Sequence, residues 1–211
     1  IREFPKDIDA TEALRRITEK IYQFYVEHNL LDELKTEPGK RFTANGVIYS
    51  YARNEVWQVG DCQCIIGSLY SSNEKEIDAI MANARAAFNE VALLNGATME
   101  GLEAHDLGRD FIYPFLQKQA LLQNCPIEGQ RFAFPVFDGF PIQMEQVNVF
   151  PVGNADEIIL SSDGYPHLYS TLHESECYLA DILEKDPLCM RLYKSTKGVK
   201  KGNRSFDDRA Y

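Results

Sequence analysis

No part of this sequence approaches the roughly 20 consecutive apolar residues that a membrane-spanning helix needs, so no membrane partner is expected. No signal-peptide pattern opens it, and it holds no internal repeat or low-complexity tract. Basic residues are in deficit: 22 Lys and Arg stand against 32 Asp and Glu, a net charge of −10. Such a surface repels a phosphodiester backbone, so nucleic acid is not expected as a partner. Cysteine is sparse and odd in number: Cys62, Cys64, Cys125, Cys177 and Cys189 show neither a disulfide nor a zinc framework. Cys62 and Cys64 lie two apart in a strand-like run and so share a face. A C-x-C pair can bind metal, but buried thiols in a reducing cytoplasm suit this pattern better, and the chain reads as cytoplasmic. The four histidines, His28, His105, His167 and His173, are not at ligand spacing. G-x-S-x-G, Walker and G-x-G-x-x-G motifs are all absent, which removes the common nucleophile-elbow and nucleotide-cradle readings.

What remains is a chain of 211 residues, 45% of them hydrophobic, enough for one domain with a sizeable core. Residues 9–30 predict a helix, with Asp9 and Glu12 as a capping box and Leu14, Ile17, Ile21, Phe24 and Tyr25 on one face. Phe42 to Tyr51, Glu55 to Val59 and Cys62 to Tyr70 read as a β-meander. Asn73 with Glu76 predicts the cap of a helix that Gly96 stops. Shorter helices are expected over 98–104 and 110–122, the second tolerating Pro114 near its first turn. Arg131 to Phe137 and Gln143 to Val152 read as a hairpin around Asp138-Gly139, and Glu157 to Leu160 as a further strand. Thr171 and Glu174 cap another helix, Asp186-Pro187 begins one more, and Phe206 to Tyr211 starts a last strand. Strands in consecutive groups, separated by helices, predict an α+β fold in packed layers.

Three acidic turns stand out: Val59-Gly60-Asp61-Cys62, Ser162-Asp163-Gly164, and Ser205-Phe206-Asp207-Asp208-Arg209. Asp163 ends one apolar strand and Asp207-Asp208 is expected to begin another. If those strands neighbour each other, their carboxylates meet at one edge. Carboxylates a few ångströms apart repel, and a hard divalent cation with oxygen ligands relieves that. Asp-Gly is also a common turn pair, and Asp138-Gly139 is read as only that. His167, four residues past Asp163, reads as a solvated loop residue.

In this order the three turns resemble the metal-dependent serine/threonine protein phosphatases of type 2C. Val-Gly-Asp-Cys is similar to that family's V-G-D-S hairpin, and Ile158 to Gly164 to its strand ending in S-D-G. Asp207-Asp208 is similar to its last Asp-Asn motif. The resemblance implies a single phosphatase-2C-like domain over residues 1–211, a four-layer α-β-β-α sandwich of two antiparallel sheets covered by helices. It implies Mn2+ or Mg2+, with Asp163, Gly164, Asp207 and Asp208 in the metal site and a metal-bound water as nucleophile. Asp61 would be structural. The expected activity is hydrolysis of phosphomonoesters, on a phosphorylated protein or a small phosphomonoester, with Arg204 and Arg209 as local candidates for substrate binding.

The sequence departs from that pattern in several places. The family's first motif, an Asp-Gly after an early strand, does not precede the first helix, so N-terminal strand structure is expected outside the given sequence. Cys62 replaces Ser, Asp208 replaces Asn, and Tyr165-Pro166 follows the Asp-Gly pair. These departures support an alternative: a catalytically silent binding or regulatory domain on the same scaffold. The loop from Thr196 to Arg204 brings Lys197, Lys200, Lys201 and Arg204 just ahead of Asp207, where they could gather an anionic substrate.

Overall fold

A computed structural model of the chain describes residues 4–200 and 202–211. The chain forms two compact units, Ile1–Asn73 with Lys118–Ser162, and Glu74–Gln117 with Asp163–Tyr211. Helix and antiparallel sheet are both present, so the α+β expectation holds.

The first unit begins with helix α1 (Ala10–Glu27), whose cap follows the sequence reading: Asp9 accepts the Glu12 N–H at 2.8 Å. A short α2 (Leu31–Thr36) follows. Strands β1 (Gly46–Ser50), β2 (Glu55–Val59) and β5 (Asn148–Pro151) form one antiparallel sheet, ordered β1-β2-β5. Strands β3 (Gln63–Ile66), β4 (Leu69–Ser71) and β6 (Ile158–Ser161) form another, ordered β4-β3-β6. The expected third strand, 62–70, is therefore two strands around Gly67.

Alternation along β2 explains the layering. Val56 points to one face and packs with Cys64, Ile66 and Val152, so the two sheets close face to face on that core. Trp57 and Val59 point to the other face, where Ala10, Ala13 and Leu14 of α1 cover them. Helix, sheet and sheet thus stack in this order. On β3 every residue is buried.

The expected hairpin around Asp138 does not form. Residues 131–137 carry only isolated bridges, Ala44 with Phe137 and Gln123 with Phe134, while β5 pairs with β2. Asp138 is more than a turn residue. Its side chain is fully buried, pairs with Arg41 Nη1 at 3.0 Å and accepts from Asn124 Nδ2 at 2.7 Å and the Phe140 N–H at 2.9 Å. The Arg41 guanidinium lies 3.6 Å above the Phe140 ring. The carboxylate is needed because two donors from distant segments and one from its own turn converge on it.

The second unit is built on α3 (Glu76–Leu94), α4 (Met99–Ala104), α5 (Leu107–Leu116) and α6 (Leu172–Lys185). Thr171 caps α6 as expected, accepting the Glu174 N–H at 3.2 Å. Asn73 does not cap α3. The cap position is Lys75, and the Asn73 amide instead donates to the Gly60 carbonyl at 2.5 Å and accepts from Asn148 at 3.0 Å. Pro114 sits inside α5 rather than in its first turn. Helix α5 stops at Leu116, with a short 3-10 turn at Gln119–Leu122.

Asp186-Pro187 opens no helix. The buried Asp186 carboxylate accepts the N–H groups of Met190, Arg191 and Leu192 at 3.1, 2.8 and 2.8 Å, which folds the chain into an irregular loop. A carboxylate that can satisfy several loop N–H groups competes with helix formation. The expected strand at 206–211 is also absent; that segment is irregular. Two apolar clusters hold the unit, one of Ala86, Leu102, Leu188 and Met190, the other of Tyr165, Leu179, Cys189 and Phe206.

Replacing Asp138 with Ala leaves Arg41 as an uncompensated, nearly buried cation. The variant should lose about 3–5 kcal/mol of unfolding free energy, measured by urea denaturation. A loss below about 1 kcal/mol would show that the network carries little.

Candidate functional site

The three acidic turns take different places. Asp61, in the turn between β2 and β3, is 7% exposed and accepts a hydrogen bond from the Asn45 side chain. Around it Gln58 Nε2 donates to the Cys62 carbonyl at 2.5 Å, and Gln58 Oε1 accepts from Ser71 and Asn148 at 3.0 and 3.1 Å. This amide network, centred on Gln58, lies beside Asp61 in the hairpin. Cys62 and Cys64 are buried and unbridged, and all five cysteines are free thiols. Burial raises the Cys64 thiol to about 11.

The other two turns meet. Strand β6 ends at Ser161, and Asp163-Gly164 forms the turn after it. Gly164 is buried against the backbone of Asp208 and Arg209: a methyl group on it would collide with the Asp208 carbonyl and stand 2.6 Å from Arg209 Cβ. The sequence reading lets these segments meet only if they are neighbouring strands. They adjoin instead through loop packing, with glycine required by the close approach. Asp163 and Asp208 are exposed and Asp207 is half-buried.

Tyr165, whose place after the Asp-Gly pair set this sequence apart, has a clear task. It is 3% exposed, and its hydroxyl donates to Glu176 Oε1 on α6 at 2.8 Å. Arg209 Nε and Nη2 reach the same Glu176 carboxylate at 2.7 and 2.8 Å. Glu176 thus ties the turn after β6 to the segment that carries Asp207 and Asp208. The Arg209 hydrogen bond, the largest cause, lowers the Glu176 carboxyl from its ordinary 4.5 to about 2. Arg209 is therefore engaged by protein. Nothing in the spacing of Glu176 or Tyr165 signalled this role.

Beside this junction lies a cleft of about 940 Å³. Its lining includes the basic residues Lys197, Lys200, Arg204 and Arg209 and the acidic residues Glu176, Asp207 and Asp208. Lys201 lies outside the described residues. Lys197 Nζ sits 2.7 Å from Asp207 Oδ1, which also accepts the Asp208 N–H at 3.0 Å. His167 packs edge-on against Tyr169, with 4.8 Å between ring centroids.

Among the described residues no three His, Cys, Asp or Glu side chains gather as a metal-binding group, and an ammonium already neutralises Asp207. These side chains do not by themselves make a metal centre. No helix among the described residues is long and apolar enough to cross a membrane. Comparison with protein-family models, with curated proteins and with solved structures gave no match.

Two outcomes follow from this geometry. Gly164→Ala forces the two segments apart and should lower unfolding free energy by about 1–3 kcal/mol, read by thermal or urea denaturation; an unchanged midpoint would contradict the close approach. The second concerns pH. Because the folded Glu176 carboxyl is depressed from 4.5 to about 2, its contribution is present above the ordinary value and is lost as pH falls through that window. The Glu176 side chain is 39% exposed, so the contribution is at most about 1 kcal/mol. In Glu176→Gln the fall in stability over the same acid range should be correspondingly shallower than in the wild type. Identical acid profiles would rule the pair out.

Proposed function

We propose that this chain is a divergent phosphatase-2C-like domain that handles a phosphomonoester, on a phosphorylated protein or a small molecule. The observation that carries the reading is the junction of the two signature turns, with Gly164 against the Asp208 backbone. Two short motifs some 40 residues apart are each weak alone; their contact is what a shared site requires. The four-layer α-β-β-α sandwich is part of the same proposal. The helix-sheet-sheet stack of the first unit supports it, as does burial of Ile65 and Ile159 on the sheet face opposite Cys64 and Leu160.

The activity in this reading is Mn2+- or Mg2+-dependent hydrolysis. The donor set of the described residues is incomplete for such an ion, so no step is routed through one. A second reading, a catalytically silent binding or regulatory domain on the same scaffold, is favoured by one specific observation. Lys197 holds the Asp207 carboxylate that the resemblance assigns to metal.

Hydrolysis of p-nitrophenyl phosphate with and without manganese separates the two. The hydrolase reading expects manganese-dependent turnover that falls at least about tenfold in Asp163→Ala, equivalent to ~1.4 kcal/mol of barrier. Absence of turnover, with no manganese binding by calorimetry, ends that reading and leaves the silent domain.

A further inference from the structure

We propose that the cleft of the second unit is a phosphate-monoester binding site in which Lys200 and Arg204 hold the dianion without help from a metal. The ligand class rests on the phosphatase-like reading above; the anion site itself rests on the charges that line the cleft.

Cations in this acidic protein are generally matched. Arg15 pairs with Glu12, Lys40 with Glu33, Arg191 with Glu90 and Arg209 with Glu176. Lys200 and Arg204 are not matched, and unlike the other unmatched lysines, Lys6, Lys20 and Lys118, they share one cleft. Both are exposed, both line the cleft, and among the described residues neither side chain has a hydrogen-bonding or ionic partner. Unmatched positive charge in a chain of net charge −10 is a local attraction for anions against an otherwise repelling surface. Lys197 adds a third cation at the wall, already shared with Asp207.

A second observation points to a polar ligand. Ser205, between Arg204 and the Asp207 turn, lines the cleft at 8% exposure, and its hydroxyl has no hydrogen-bond partner. A buried hydroxyl left unsatisfied is costly unless a ligand or water completes it. An oxygen-rich group could do so while its charge meets Arg204, whose planar fork suits phosphate geometry.

The loop is also held at its roots. Arg85 donates to the Ser195 carbonyl at 2.9 Å and Arg109 to the Thr196 carbonyl at 2.5 Å. The Val199 N–H reaches the Pro187 carbonyl at 2.9 Å, and the Asn203 N–H closes a turn on the Lys200 carbonyl at 2.9 Å. A loop pinned in this way loses less conformational freedom when it takes up a ligand. Its cations are therefore offered from a set frame.

The test is binding without metal. A fluorescent phosphoserine peptide, its unphosphorylated twin and phenyl phosphate are titrated into the protein in buffer containing a chelator. The phosphopeptide or phenyl phosphate should bind, the unphosphorylated peptide should not, and inorganic phosphate should compete. Tighter binding of the peptide identifies a phosphorylated protein as the source, and equal affinity a small phosphomonoester; either supports the site. Lys200→Glu and Arg204→Glu should each weaken binding by about tenfold or more, and the milder Arg204→Gln should weaken it less. Lys20→Glu on α1, the same change in net charge at a residue that does not line the cleft, should leave affinity unchanged. Circular dichroism establishes that each variant is folded. The proposal is overturned if neither phosphorylated probe binds, or if Lys20→Glu weakens binding as much as the cleft variants. Since the assay needs neither metal nor turnover, failure of the hydrolase reading leaves a positive result standing, and hydrolysis without chelator-resistant binding rejects this site alone.

Discussion

One guanidinium holds the irregular half of the second unit. Arg85, on α3, has no solvent exposure. An isolated buried cation costs several kcal/mol, so each of its donors must be met. Its Nε reaches Asp106 at 2.7 Å, its Nη1 the carbonyls of Cys189 and Ser195 at 3.1 and 2.9 Å, and its Nη2 the Leu188 carbonyl at 2.7 Å. Three carbonyls from a loop with no regular structure are thereby given fixed places. Gly198 passes so close that an added Cβ would stand 3.0 Å from the same guanidinium. The course of the chain from Asp186 to Val199 follows from these contacts together with the N–H groups gathered by Asp186.

That loop carries the charges to which the proposal assigns the ligand. Lys197 is delivered to Asp207, and Lys200 and Arg204 to the wall of the cleft. On the other side, Glu176 joins Tyr165 to Arg209, and Gly164 lets the turn after β6 lie on the Asp208 backbone. The result is a junction of acidic turns and a cleft lined by both signs of charge, in which the Lys200 and Arg204 side chains are unmatched, all within one unit. The proposed phosphomonoester role draws on both: carboxylates where the resemblance places a metal, and unpaired cations where a phosphate would rest.

Local signals in the sequence were sound where the interaction itself was local. Asp9 with Glu12 and Thr171 with Glu174 are caps spanning three residues, and both form. Strand β2 appears with the bounds its pattern predicted. Expectations failed where a distant partner decided. Asp138 read as a turn because Arg41, 97 positions away, cannot be seen from its neighbours. Asp186-Pro187 had the composition of a helix start, but Arg85 and the loop N–H groups gave the chain another solution. Asn73 looked like a cap and became a bridge from Gly60 to Asn148. The candidate site was legible in part: the sequence singled out the turns at Asp163 and Asp207-Asp208, which the structure brings together, and the basic loop, whose Lys197, Lys200 and Arg204 line the cleft beside them. The packing of Gly164, the role of Tyr165 and the pairing of Lys197 with Asp207 depend on tertiary contacts that no spacing rule carries.

The most direct measurement is a crystal structure of the protein grown with phosphate. The account expects Gly164 packed on the Asp208 carbonyl, Lys197 on Asp207, and a phosphate in the cleft between Lys200 and Arg204. Separation of the turn at Asp163 from the segment at Asp207, with no phosphate in the cleft, would contradict it.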